Sequence, residues 1–236
     1  MKKGKFFAVV LLLFSLLFSA CSGGSDADFI IHNGTGYKSV TSPYTGKVWL
    51  DRNLGAIRVC EAPDDMACYG DYYQWGRNYD GHEDKSSDIN STLALDIADA
   101  GEDFIITSAA PDDWAEPLVD DDGSLRSFNW SKIDGDSVCP VGYRVPTVIE
   151  LRDETLDNNA SDPFGSNVDA FNNFLKLPSA GERDNSDGDL INVRDDTYLW
   201  LNGVDGNQSY FLNASENADI YTDRRSRGFA IRCIED

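Results

Sequence analysis

Five cysteines, two histidines and forty-one acidic residues are the groups in this chain that could carry nucleophilic, acid–base or metal chemistry. Cys139 opens the stretch CPVGYRVPTVIELRDE, just ahead of a helical pattern, where a helix-activated thiolate would stand. A catalytic triad also needs a histidine oriented by an acid beside the nucleophile. The only histidines are His32, in a Gly-, Ser- and Asp-rich stretch, and His82, in YDGHED, and neither is near Cys139. His82, Glu83 and Asp84 are metal-ligating types, but consecutive side chains on a loop rarely converge, so the reading is a solvated polar turn with no metal site. Carboxylates are too numerous for a glycosidase pair to be singled out. The acid-rich runs VDDDGS (119–124) and RDNSDGDL (183–190) offer the oxygens that calcium takes. Neither has the D-x-[DN]-x-[DN]-G spacing with its late glutamate, and Asn, Asp and Gly favour bends. The expectation is no cofactor, with calcium as the one ion the composition would suit.

The remaining cysteines read as structural. Lys2, Lys3 and Lys5 precede an apolar run from Phe6 to Phe18, shorter than the roughly 20 residues of a spanning helix, so residues 1–20 read as a cleaved signal peptide. Its close, FSAC, resembles the bacterial lipobox, with Phe18 in place of the usual leucine. The resemblance implies acylation of Cys21, a lasting membrane anchor through several acyl chains and, from Ser22 after the cysteine, sorting to the outer membrane, on its cell-surface or periplasmic face. Four cysteines then remain, an even number that in an exported chain predicts two disulfides among Cys60, Cys68, Cys139 and Cys233. Three pairings are open. The short Cys60–Cys68 loop favours a local bridge, which leaves Cys139 with Cys233.

Loss of three lysines with the leader takes the formal charge from −21 to −24. Such a surface repels nucleic acid and anionic head groups. A soluble, hydrated surface accounts for it.

The elements around these residues are short. Residues 21–36 read as a flexible tether, and a domain from 37 to 236 follows. Tyr37–Thr41 and Lys47–Leu50 flank a Ser-Pro-Tyr-Thr-Gly turn and predict a hairpin. GDYYQWG predicts a strand with core aromatics. From Arg77 to Asp136 the text is irregular, with a weak helical pattern over Thr92–Ala100. Thr147 and Glu150 have capping-box spacing ahead of a helix over 148–156, with Ile149 and Leu151 flanking its buried side. Val168, Phe171, Phe174 and Leu175 recur at helical spacing and predict a second helix with those side chains in the core. TYLWLNG, QSYFLNA and GFAIRCIED read as closing strands. Strands, two helices, then strands is an α+β order.

Five blocks, GKVWLDRNLGA, CYGDYYQWGR, CPVGYRVPTVIEL, FLKLPSAGER and RGFAIRCIED, occur in the order of the Fibrobacter succinogenes major paralogous domain, which residues 37–236 resemble. More distantly, YRVPTVIEL and GFAIRC resemble elements of the C-type-lectin-like fold used by formylglycine-generating enzymes. That likeness implies twisted antiparallel strands, two short helices, long loops and end strands whose pairing brings Cys139 and Cys233 together. It does not decide function. The enzymatic relatives' chemistry needs two reactive cysteines close together late in the chain, and only Cys233 is late. Trp200 and Asn202 in WLNG resemble part of a calcium-dependent sugar-binding motif whose acidic-proline-asparagine companion is missing. Arg144, Arg227 and Arg232 flank the blocks, with structural ion pairs as the default. The expectation is a non-enzymatic lipoprotein with no catalytic residue and an unlocated ligand site, a binding or scaffolding module. The alternative is a glycan-binding or polysaccharide-accessory protein. Its partners would be the membrane, through the anchor, and a glycan or surface protein.

Overall fold

The computed structural model describes residues 29–110, 112–156 and 165–236. The signal peptide, Cys21 and the start of the tether lie outside the described residues. Among the described residues no helix is long and apolar enough to cross a membrane.

Order begins earlier than composition suggests. Strands β1 (Ile30–His32) and β2 (Thr35–Tyr37) pair in a hairpin. Its turn residues Asn33 and Gly34 both have positive φ, 46° and 77°, as a two-residue type I′ turn requires. β3 (Ser39–Thr41) and β4 (Val48–Leu50) form the expected second hairpin. A 3-10 turn over Met66–Cys68 precedes β5 (Tyr73–Gln74). The irregular stretch holds two short strands, β6 (Ile89–Asn90) and β7 (Phe104–Ile105), which pair in parallel. No helix forms over 92–100. Ala94 instead bridges Ala115. A helix the sequence did not announce, α1 (Ser124–Trp130), follows.

β8 (Tyr143–Arg144) leads into α2 (Val148–Thr155), whose N-terminus carries the full reciprocal capping box of Thr147 and Glu150. Leu151 is buried, but Ile149 is 70% exposed, because it sits on the solvent side of so short a helix. α3 (Asn167–Asn172) is capped by Ser166. Leu175 is core and Phe171 and Phe174 are partly buried, whereas Val168 is exposed in the first turn. The chain then runs through β9 (Glu182–Arg183), β10 (Leu190–Ile191), β11 (Thr197–Asp205), β12 (Gln208–Ala214), β13 (Ala218–Arg224), β14 (Gly228–Phe229) and β15 (Ile234–Glu235).

Three sheets organise the body, in the orders β10-β9-β14-β5, β11-β12-β13 and β3-β4-β15-β8. The architecture is α+β and mostly strand. β15 lies between β4 and β8, so the last strand is held by the early hairpin and by the strand after Cys139. Cys139–Cys233 is bonded there, and Cys60–Cys68 closes the local loop.

β11 explains the core. Thr197 to Leu201 is buried without a break, the signature of a strand covered on both faces. Tyr198 and Trp200 face one apolar cluster with Trp75, Trp130 and Phe229, while Leu199 and Leu201 face another with Trp49, Leu151 and Ile234. Alternation along one strand thus divides two cores. All five tryptophans are fully buried, and each indole N–H donates inward: Trp49 to Glu154, Trp75 to the Leu201 carbonyl, Trp114 to that of Trp75, Trp130 to that of Arg77 and Trp200 to that of Tyr73. A buried indole needs such a partner. Two of the acceptors, the Trp75 and Arg77 carbonyls, lie in the loop after β5, so Trp114 and Trp130 also pin irregular backbone.

Candidate functional site

The cleft that gathers the most chemistry lies where the β1–β2 hairpin meets the loop at 54–55 and the segment from Asp71 to Asp84. Its volume is about 340 Å³, and Asp71, Glu83, Asp84, Tyr79 and His32 are on its wall. Two close backbone approaches make it. Asp71 N–H donates to the Leu54 carbonyl at 3.0 Å, and the Asp71 carboxylate lies directly over Gly55. A Cβ on Gly55 would stand 2.0 Å from Asp71 Oδ2, and the residue's φ of +75° also favours glycine. The hairpin wall is tied down by His32 Nε2 at 2.8 Å from the Val138 carbonyl and by Tyr37, whose hydroxyl accepts from the Gly55 N–H.

The opposite wall is set by a buried hub. His82 is fully buried, which corrects the expected solvated turn. Its Nε2 accepts from the Gln74 N–H at 3.0 Å, so Nδ1 carries the proton and donates to Asp80 Oδ1. Burial and nearby Arg77 bring its pKa down to about 4, so the ring is neutral. Arg77 bonds Asp80, the Gln74 amide and the carbonyls of Gly101 and Asp103. Glu83 Oε2 accepts from the Asp80 and Gly81 N–H groups. Asp80, His82 and Glu83 bring ligand-type atoms within 4.8 Å of one another, so the third member is Asp80 and not the expected Asp84. Both imidazole nitrogens are already committed to hydrogen bonds. The trio is a brace for the loop, and a metal would have to break it.

Elsewhere among the described residues the buried carboxylates are each held by an arginine or by several side-chain donors. Asp113 and Asp120 face Arg126, Glu150 faces Arg144, Glu182 faces Arg227, and Glu154 takes Ser42, Thr45 and Trp49. Asp71, half-buried, makes no side-chain hydrogen bond to the described residues. Its pKa is pushed up to about 7, chiefly by burial and then by the charges of Glu83 and Asp84, with Lys85 opposing. Burial also raises Glu83. Asp84 is held low by the Ser86 hydroxyl and N–H. Tyr79, 52% exposed, stands at the rim.

The other sequence candidates resolve into structure. In VDDDGS, Asp120 caps the first amides of α1 and Asp122 accepts from the Ser124 N–H. In RDNSDGDL, Asp184 and Asp187 bond the turn between β9 and β10. Trp200 is sealed in the core and Asn202 accepts from the Ser127 hydroxyl, so neither faces a ligand. Arg144 pairs with Glu150 at 2.7 Å and Asp236 at 2.8 Å, and Arg227 with Glu182 and Asp223. Arg232 departs from the expected ion pair. It is fully buried, bonds Asn53 Oδ1 and the carbonyls of Leu50 and Leu175, and burial brings its pKa down to about 9. Asp71 carries no sequence signal of its own. Only its place after Gly70, opposite Gly55, makes it distinctive.

No protein-family model, curated protein or solved structure matches this chain.

Proposed function

We propose that this chain is an exported, non-enzymatic binding module that takes a sugar residue in the Asp71–Tyr79 cleft. The carrying observation is Asp71 itself: a half-buried carboxylate with no side-chain hydrogen bond to the described residues, in a cleft with Tyr79 on its wall. Ligand sites are concave, with a few convergent polar groups, and costly unpaired groups gather at them. The cleft's volume falls at the small end of such sites. Sugar hydroxyls would donate to Asp71, and a sugar face would stack on Tyr79.

The non-enzymatic part is supported by what the reactive groups are doing. All four domain cysteines are bonded in pairs, and both nitrogens of His82 are engaged. The proposed family remains the Fibrobacter succinogenes major paralogous domain, with a C-type-lectin-like fold. The pairing of β15 with β4 and β8 and the long loops are in keeping with it. Location at the outer membrane through acylated Cys21 completes the reading, and an intact mass with diacylglycerol on Cys21 is the expected result for the exported protein. A mature start elsewhere would end that part.

The test of function is a glycan array probed with the 29–236 region and its Asp71→Asn variant, with and without calcium. Retention of a glycan by the parent and not by the variant, with no need for calcium, is expected. Absence of binding under either condition would overturn the reading.

A further inference from the structure

We infer that the outer face of the β1–β2 hairpin rests in the lipid surface to which the chain is anchored, with Phe29 and Ile31 entering the interface and Lys38 at its edge. This rests on the anchor reading through Cys21 and goes beyond it: an anchor sets where the domain is held, whereas a hairpin seated in lipid sets which way the domain faces. Three observations meet at the hairpin.

The first is how β1 divides its side chains. Ile30 packs against the main apolar cluster and His32 bonds the Val138 carbonyl, so these alternate residues turn inward. Phe29 and Ile31 face the other way and are 58% and 69% exposed. The residue paired across from Ile31 is Gly36, which has no side chain to cover it. A Cβ on Gly36 would stand 3.3 Å from the Phe29 ring and 3.4 Å from Ile31 Cδ1, so both side chains converge over that one glycine. They form a continuous apolar knob, whereas exposed apolar residues are ordinarily scattered singly.

The second is what borders the knob. The Lys38 ammonium lies 5.2 Å from the centroid of the Phe29 ring. A ring with an ammonium beside it suits the edge of a bilayer, where the ring leaves water and the long lysine stem carries its charge to the head groups. Charge cannot be the main attraction, because 41 acids against 20 bases repel an anionic surface. The contact is therefore apolar, of the kind that seats interfacial segments.

The third is reach. Seven residues, 22–28, separate Cys21 from Phe29. A chain of that length spans at most about 28 Å, less than the roughly 40 Å width of a domain this size. The hairpin, the first described element after the anchor, is thereby held beside the bilayer at high effective concentration. Two side chains too few to bind a membrane alone then suffice to orient a domain already tied to it. Because His32, Asn33 and Thr35 of the same hairpin line the cleft, seating the hairpin also fixes the cleft close to the lipid surface.

The test uses the full exported chain, purified in detergent, checked by intact mass and reconstituted into phosphatidylcholine vesicles with or without dibrominated acyl chains. All five native tryptophans are buried and supply a background. Phe29→Trp adds a reporter in the knob, and Leu118→Trp adds one at a 90% exposed position ahead of α1. Bromine is expected to remove most of the added emission of Phe29→Trp, which also shifts to the blue, and to leave that of Leu118→Trp. Adding Ile31→Asp to Phe29→Trp is expected to restore the emission, because a carboxylate is costly in lipid, with the melting temperature unchanged. Equal quenching of both reporters would show a domain tumbling on its anchor, and no quenching of Phe29→Trp would show a hairpin clear of the lipid. Either result overturns the inference and leaves the anchor standing. Quenching that survives Ile31→Asp overturns it as well, since the short tether alone then accounts for it. An intact mass without diacylglycerol overturns the anchor reading and the seated hairpin together.

Discussion

At the residue scale, Asp71 ties function to a measurable cost. Its carboxyl has a pKa near 3.8 when unfolded and about 7 when folded, raised by burial and by facing Glu83 and Asp84. The folded state therefore holds the proton more tightly, and stability from this group falls as pH rises between those values. Asp71→Asn removes the charge and keeps the shape. It is expected to raise the melting temperature at pH 8 by several degrees, roughly 1–2 kcal/mol after allowing for solvent screening. Near pH 4 the gain should vanish, and thermal melts at the two pH values measure it. A variant that is more stable and yet loses ligand is what a strained binding group predicts. An equal loss of both would make Asp71 a packing residue. His82 shows the opposite case. Read along the chain it was one polar residue among many, because nothing local tells that Gln74 will offer its amide across the loop. His82→Ala strands that buried N–H and takes one donor from Asp80, which keeps Arg77, and it is expected to cost about 3 kcal/mol in a denaturation series.

At the scale of elements, legibility followed whether the signal was local. The capping box at Thr147 and Glu150 was visible because three residues suffice to specify it. Thr147→Ala removes the hydroxyl that accepts from the Glu150 N–H. The cost should be about 1 kcal/mol by urea unfolding, and a loss within error would mean that the Arg144–Glu150 pair alone holds the helix start. α1 was hidden for the same kind of reason. Its N-cap is Gly123, at φ 68° and without a capping side chain, while its first amides bond Asp120 from the preceding turn. The hairpin at 30–37 was obscured by composition. Gly, Ser and Asp around it read as tether, although Asn33-Gly34 is itself a turn signal. The closing strands were readable because β11 and β12 each carry an unbroken apolar run, Tyr198–Leu201 and Tyr210–Leu212. β13 was missed because none of its residues is buried and Asp219, Asp223 and Arg224 break its apolar pattern.

Over the whole molecule, two long-range terms decide stability, and both are large because the elements are so short. The Cys139–Cys233 bridge closes 94 residues and the Cys60–Cys68 bridge only 8. Restriction of the unfolded chain gives the long loop about 4.7 kcal/mol and the short one about 2.5 kcal/mol. The double variant Cys139→Ala/Cys233→Ala should therefore lower the melting temperature nearly twice as much as Cys60→Ala/Cys68→Ala. The second term is charge. The chain carries 41 acids against 20 bases, while among the described residues the buried arginines (Arg77, Arg126, Arg183, Arg225 and Arg232) nearly balance the buried acids. The acidic excess therefore lies on the surface, and its self-repulsion opposes compactness. Salt screens exposed charges over about 10 Å at 0.1 M and affects buried pairs much less. Raising sodium chloride from 10 to 300 mM should accordingly increase the melting temperature of the folded region. A protein held chiefly by surface ion pairs would move the other way, so a fall in melting temperature would show that the exposed pairs, such as Arg58 with Glu61, outweigh the repulsion.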